Sequence, residues 1–172
     1  MNKVKIVLDA DVIIHFSKGQ MLSILPKIFP TYQYIILDKV YNEILWDIKK
    51  QLDNQMSILK NITLIKFNPS GQEMKEYAYL LSQEFGKGES ASMIYCKFNH
   101  DVLASSNLKD IETYCKENQI TYLTTFDFLY YAVNNKLISQ SEAYDFINDV
   151  LSKGSKLPSV DQFKVFISTV II

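Results

Sequence analysis

Apolar positions along the chain fall into short continuous runs separated by stretches of helical spacing. Val4, Ile6, Val7 and Leu8 make the first run, which stops at Asp9; a run this short, bounded by a polar residue, predicts a buried strand. Helical spacing follows at Val12, Ile13 and Phe16 and again at Met21, Leu22 and Leu25, with Pro26 and Pro30 closing the region. Tyr34 to Leu37 reads as a second strand. Asp38 then stands as the N-cap of a helix through Val40, Tyr41, Ile44, Leu45, Ile48 and Leu52. Ile62 to Ile65 gives a third strand, and Pro69, Ser70 and Gly71 open a helix through Tyr77, Leu80 and Leu81. Gly86, Lys87 and Gly88 mark a break, after which Glu89 begins a helix carrying Ala91, Ile94 and Tyr95. Asp101 to Ala104 and Ile120 to Leu123 are the fourth and fifth strands, separated by a helix from about Asn107 to Glu117. Helices follow near Phe126–Val133 and Ser141–Leu151, while from Phe163 to Ile172 the spacing fits helix and strand equally.

This alternation predicts an α/β domain of three layers, α/β/α, around a parallel sheet of about five strands. With no repeat and no linker, residues 1–172 read as one domain, with 138–172 a helical or extended C-terminal extension packed on it. Composition adds exclusions. At 48% hydrophobic and 22% charged over 172 residues, the chain has the make-up of a globular domain and not of a disordered one. No apolar run approaches the ~20 residues that cross a bilayer. The start, Met1 to Lys5, lacks a signal-peptide pattern, and Cys96 and Cys115 offer neither a disulfide framework nor metal-type spacing. A cytoplasmic protein with reduced thiols is expected. The net charge is −1, and all 18 basic residues are lysines. Without arginine forks and without a strong positive field, a basic-patch binder of long duplex nucleic acid is not expected, whereas small phosphate contacts bridged by a metal remain open.

The chemistry of interest lies where strands end. In open α/β sheets ligands sit outside the carboxyl ends of the strands. The first strand ends in Asp9, Ala10 and Asp11; Glu43 follows the second strand within a turn or two of helix; Glu89 opens a helix beside the fourth strand, whose own end carries Ser105, Ser106 and Asn107. Carboxylates brought together from separate segments suit a hard divalent cation, which takes oxygen ligands and bridges to phosphates. Taken singly, each has a plainer use: Asp11 fits a helix N-cap and Glu89 a favourable partner for a helix dipole.

These segments resemble the PIN domain, a compact α/β nuclease fold. Ile6-Val7-Leu8-Asp9-Ala10-Asp11-Val12-Ile13-Ile14 is similar to the family's opening strand and acid. Val40-Tyr41-Asn42-Glu43-Ile44 is similar to its helix with a central Glu. Gly86-Lys87-Gly88-Glu89-Ser90-Ala91-Ser92 resembles the Gly-Glu helix start of one branch. The closing unit from Asp101-Val102-Leu103-Ala104 to Ile120-Thr121-Tyr122-Leu123-Thr124-Thr125 fits as well, as does the tail from Asn135 to Ile138 and from Leu157 to Phe163. The resemblance implies a Mg²⁺- or Mn²⁺-dependent ribonuclease with Asp9 as central metal ligand and Glu43 and Glu89 as direct or water-mediated ligands. It also implies an RNA substrate and, for a small member, the toxin half of a toxin–antitoxin or defence pair whose antitoxin covers the acidic pocket. Asn107 stands where the family usually has a fourth acid, and can offer a metal only its uncharged carbonyl oxygen. Asp110, a turn further on, and more remotely Asp127 are substitutes. Asp11, Lys87 and Ser106 are the residues expected to face substrate.

Other readings stay open. A PIN-like module without catalysis could bind RNA or protein. The apolar run Val165-Phe166-Ile167 and Val170-Ile171-Ile172 could then serve a partner or a homodimer, or pack on its own domain. The Asp9-Ala10-Asp11 spacing also fits haloacid-dehalogenase-like phosphatases, although Ile13 stands where these carry a hydroxyl. His15 and His100 lack partner spacing for zinc. Tyr77, Tyr79, Tyr95, Tyr130 and Tyr131 fall at spacings for core or interface packing and not for base stacking. Lys39, Lys49 and Lys50 read as a solvated helix face.

Overall fold

A computed structural model describes residues 4–172; residues 1–3, on which the reading of the leader region partly rests, lie outside it. Five parallel strands form one sheet: β1 (Lys5–Leu8), β2 (Gln33–Leu37), β3 (Ile62–Ile65), β4 (Val102–Ala104) and β5 (Tyr122–Leu123), in the spatial order β3-β2-β1-β4-β5. β1 is central because it is apolar on both faces. Ile6, Val7 and Leu8 have no exposed surface, and strands buried on both faces read as continuous apolar runs without alternation. Register pairs Ile6 with Tyr34 on one side and with Val102 on the other. At the far end from the strand tips, the Asp101 carboxylate takes the Lys5 backbone N–H at 2.8 Å and the Lys5 ammonium at 3.2 Å, locking β1 to β4.

Ten helices flank the sheet among the described residues: α1 (Ala10–Lys18), α2 (Leu25–Ile28), α3 (Asp38–Glu43), α4 (Trp46–Ser57), α5 (Gly71–Ser82), α6 (Lys87–Asn99), α7 (Leu108–Glu117), α8 (Thr125–Asn134), α9 (Gln140–Ser152) and α10 (Val160–Lys164). α6 packs on β1, β2 and β4 and against α3 and α5, whereas α9 meets α1, α8 and α10. Phe16, Phe128 and Phe146 join α1, α8 and α9 by edge and tilted ring contacts. Helix starts follow their sequence cues. Ser70, Thr124, Ser139 and Ser159 each form a reciprocal capping box with the residue three positions on, satisfying backbone donors that the first turn leaves free.

Four expectations are corrected. Asp38 is the first residue of α3 and not its cap, and its carboxylate accepts the Phe67 N–H at 2.9 Å, tying α3 to the segment after β3. The single helix expected from Asp38 to Leu52 is two, because Ile44 and Leu45 are extended (ψ 137° and 151°) between α3 and α4. Pro26 lies in the first turn of α2 and so opens a helix where it was expected to close one; proline is tolerated there because first-turn N–H groups have no intrahelical partner. α6 begins at Lys87 with Gly86 as cap, so Gly88 lies inside the helix and Glu89 is its third residue. The undecided tail resolves as α10 up to Lys164, followed by Val165–Ile172 with no regular structure. There Phe166 packs on Phe126, Tyr130 and Phe163, while Val165, Ile167 and Ile171 are largely exposed. Among the described residues no helix is long and apolar enough to cross a membrane.

Candidate functional site

The chain leaves β2 and β3 on one side of β1 and crosses to β4 on the other, so the switch in strand order falls between β1 and β4. That crevice is where an open parallel sheet binds ligands. The Asp9 N–H donates to the Ala104 carbonyl at 2.9 Å, continuing the β1–β4 ladder one step beyond the strands and setting the first acid at the crevice. Asp9, not Asp11, is the N-cap of α1: its Oδ1 accepts the Ala10 N–H at 2.9 Å, and the residue is buried. Asp11 sits in the first turn of the helix, where its Oδ1 takes the Val12 N–H at 2.7 Å and its Oδ2 the Ser106 N–H at 2.6 Å. The plain N-cap reading of Asp11 is thus overturned, and the residue binds the loop after β4.

Three further acids complete the group. Glu43 ends α3, and its Oε1 accepts the Gly88 N–H of α6 at 2.9 Å. Glu89 lies on the first turn of α6, its Oε1 accepting the Asn107 amide at 2.8 Å. The same Nδ2 of Asn107 donates to Asp110 Oδ2 at 2.7 Å. With acceptors on both sides, Asn107 must turn its NH₂ toward the acids. It holds Glu89 and Asp110 together as a two-handed donor.

Electrostatics mark the cluster as incompletely compensated. Burial, then the Asp11 charge, push the Asp9 carboxyl up to about 7, against the hydrogen bonds from Ala10 and Ser105. Burial pushes Asp11 up to about 6, with Glu89 adding to it and the Ser106 and Val12 N–H groups opposing. Glu89 rises to about 7 through burial and then through Asp9 and Asp110. None of the groups acting most strongly on these three is a cation. Clustered carboxylates that raise one another in this way hold protons near neutrality unless a counter-charge replaces them. Among the described residues no group of three or more His, Cys, Asp or Glu side chains is set to hold a metal ion as it stands, because Glu43 is turned to Gly88 and Glu89 to Asn107. In kind and charge the donors nonetheless fit a hard divalent cation: all are oxygens, all but one are acids, and they come from four separate segments.

Behind Ser106 lies a polar chain that the sequence reading did not find. The Ser106 hydroxyl donates to Thr125 Oγ1 at 2.9 Å and accepts the Thr125 N–H at 2.8 Å; Thr125 Oγ1 in turn lies 2.8 Å from His15 Nδ1. Burial, then the Lys18 charge, bring His15 down to about 4, with a bond to the Lys156 backbone opposing. The ring is therefore neutral at physiological pH, and its tautomer decides which of Nδ1 and Thr125 Oγ1 donates. Its only sequence signal was the four-residue spacing from Asp11, which sets both on one helix face. Asp127, the remote substitute acid, is elsewhere engaged: it caps α8 through Thr124 and receives the Ser168 hydroxyl. Lys87 is exposed at the first position of α6 and forms no ion pair among the described residues. Lys49 and Lys50 are not free in solvent, since their ammonium groups lie 4.8 Å and 3.7 Å from the Tyr41 and Trp46 ring centres. Of the tyrosines read as packed, Tyr79 is 63% exposed.

A family model described as a PIN domain matches residues 5–160. The chain belongs to the PIN-domain family. No curated protein and no solved structure matches it. Membership places the chain apart from the dehalogenase-like phosphatases, and it carries a nuclease-type function and a divalent-metal dependence in general terms.

Proposed function

We propose that this PIN domain hydrolyses RNA phosphodiesters with Mg²⁺ or Mn²⁺ held by Asp9, Glu43 and Glu89. The carrying observation is the gathering of these acids with Asp11 and Asp110 at the β1–β4 crevice, several held near neutrality by one another and none of those shifted paired to a cation. Asp9 is the central ligand because it is the most deeply fixed, by its own helix cap and by the β1–β4 ladder. Glu43 and Glu89 reach the same crevice from α3 and α6 after a rotation of their carboxylates. Asn107 orients Glu89 and Asp110 and keeps its carbonyl oxygen as a further ligand. When bound, the ion supplies positive charge to the phosphoryl oxygens and makes water a better nucleophile. The chain's own part is to lose the protons that Asp9 and Glu89 hold, so ion binding and proton release are linked. Lys87 supplies a cation at the crevice rim for a phosphate, while Asp11 and Ser106 form its floor. The same reading takes residues 1–172 as one domain with 138–172 as its extension, working in the cytoplasm, and, as a small member, as the toxin half of a pair whose antitoxin, or a second copy of the chain, covers the acids.

Replacement of the usual fourth acid by Asn107 favours a second reading, a module that binds without cutting. One experiment separates the two. Labelled single-stranded RNA is incubated with the full chain in Mn²⁺, in Mg²⁺ and in EDTA, beside Asp9→Asn. Cleavage that needs the ion and falls by ~100-fold or more in the variant is expected, since the variant keeps the cap but loses the central ligand charge. RNA retention without cleavage in any metal would decide for the binding module.

A further inference from the structure

A cavity of about 570 Å³ lies beside the acidic site and not in it, between β5, the start of α7 and the C-terminal tail. Ser106 belongs to both places: its N–H is bound to Asp11, and it also walls the cavity. Leu108, next to the Asn107 that grips Glu89, lines it too. The cavity therefore begins where the acidic crevice ends. Resting on the nuclease reading above, we propose that it receives a nucleobase of the RNA strand whose phosphate lies at the acids.

The walls state the chemistry of the occupant. Tyr122, Phe126 and Phe166 give apolar and aromatic surface, Thr121, Thr169 and Gln162 give hydrogen-bonding edges, and no lysine takes part. The one charged residue, Asp127, has both carboxylate oxygens occupied by Thr124 and Ser168. A phosphate finds no cation there, while a flat uncharged ring with donor and acceptor edges finds both stacking surface and partners. The volume is within the range of small-ligand pockets and suits a base with its sugar. Ile167, 70% exposed, and Leu108, 40% exposed, leave apolar surface at the rim that the described residues do not cover. An extended peptide adding to the sheet edge is the poorer fit, because β5 offers only two strand residues for pairing.

The test uses nucleosides, which carry no phosphate and need no metal. The full chain, isotope-labelled, is titrated in EDTA with adenosine, guanosine, cytidine and uridine, and separately with ribose 5-phosphate, while backbone amide resonances are followed. Expected are shifts confined to Thr121, Tyr122, Gln162 and their neighbours for at least one nucleoside and none for ribose 5-phosphate. The dissociation constant should rise by about tenfold in Ile167→Asp, at an exposed position that tolerates the charge, and in Tyr122→Ala. In Ile167→Asp the KM for RNA cleavage should rise by a similar factor. Intact cleavage with no nucleoside shift at the cavity overturns this inference and leaves the nuclease standing, as does a shift produced only by an apolar peptide. Nucleoside binding in a protein that never cleaves RNA overturns the nuclease reading, and with it the assignment of the base to a substrate strand.

Discussion

One oxygen of Asp9 serves the fold, and the carboxylate charge serves the proposed site. That oxygen accepts the first N–H of α1, and asparagine at an N-cap accepts it equally well. The carboxylate charge, by contrast, opposes folding in the absence of a cation. A carboxyl held near 7 in the folded state, against an ordinary aspartate value of 3.8, binds more protons folded than unfolded between those values. Its penalty is absent below about 4, grows as pH rises, and is complete above about 7. Asp9→Asn should therefore stabilise the metal-free protein by about 1–3 kcal/mol at pH 8 and by much less at pH 4.5, measured by urea unfolding in EDTA. An equal change at both pH values would mean that the cluster does not carry the repulsion described. His15 runs the other way, since a histidine lowered to about 4 costs stability as pH falls from about 6.5 toward 4. At this scale the sequence announced acids at strand ends but not their partners. Asp9, Glu43 and Glu89 could be picked out because each follows a strand or starts a helix. The His15–Thr125–Ser106 chain could not, because its members are brought together only when α1, α8 and the β4 loop pack.

Between elements, α3 and α6 pack against each other near the site, and Gly88 permits their approach. A Cβ there would stand 2.4 Å from Glu43 Oε2 and 3.1 Å from the Cα of Val40. The carboxylate could swing away, but the α3 backbone could not. Gly88→Ala should cost about 1–2 kcal/mol despite alanine's better helix propensity. On the proposed function, RNA cleavage should fall further than stability alone explains, because the added methyl occupies the space of the Glu43 carboxylate. Thermal unfolding beside steady-state cleavage checks this, and an Ala variant as stable and active as the parent would contradict it. The sequence read Gly86-Lys87-Gly88 as a break because two glycines in three residues usually are one. Here the second is used for proximity, and only the position of α3 shows it. The division of α3 from α4 was hidden similarly: the apolar spacing from Val40 to Leu52 continues through Ile44 and Leu45, although the backbone there is extended. By contrast the five strands were legible, since buried parallel strands carry uninterrupted apolar runs that few other elements imitate.

For the molecule as a whole, an ion held by the cluster as proposed would tie its binding to stability. A cation that binds the folded state alone raises its stability by about 2.7 kcal/mol at a hundredfold excess over its dissociation constant, which in a chain of this size is roughly 5–10 °C in Tm. Mn²⁺ and Mg²⁺ should each raise Tm over an EDTA control, more at pH 8 than at pH 6, where protons compete for Asp9 and Glu89. Calorimetric scans at both pH values would show it; equal shifts in Asp9→Asn would place the ion elsewhere. One consequence follows from the central place of β1. Two bonds that fix the β1 segment come from residues about a hundred positions later: Ser106 holds Asp11 across 95 residues, and Asp101 holds Lys5 across 96. A chain still emerging from the ribosome, with α6 already made, has Asp9, Glu43 and Glu89 but not the strand and loop that hold Lys5 and Asp11. The acid cluster is thus assembled only after the β4 segment and its following loop have emerged, past the midpoint of the chain.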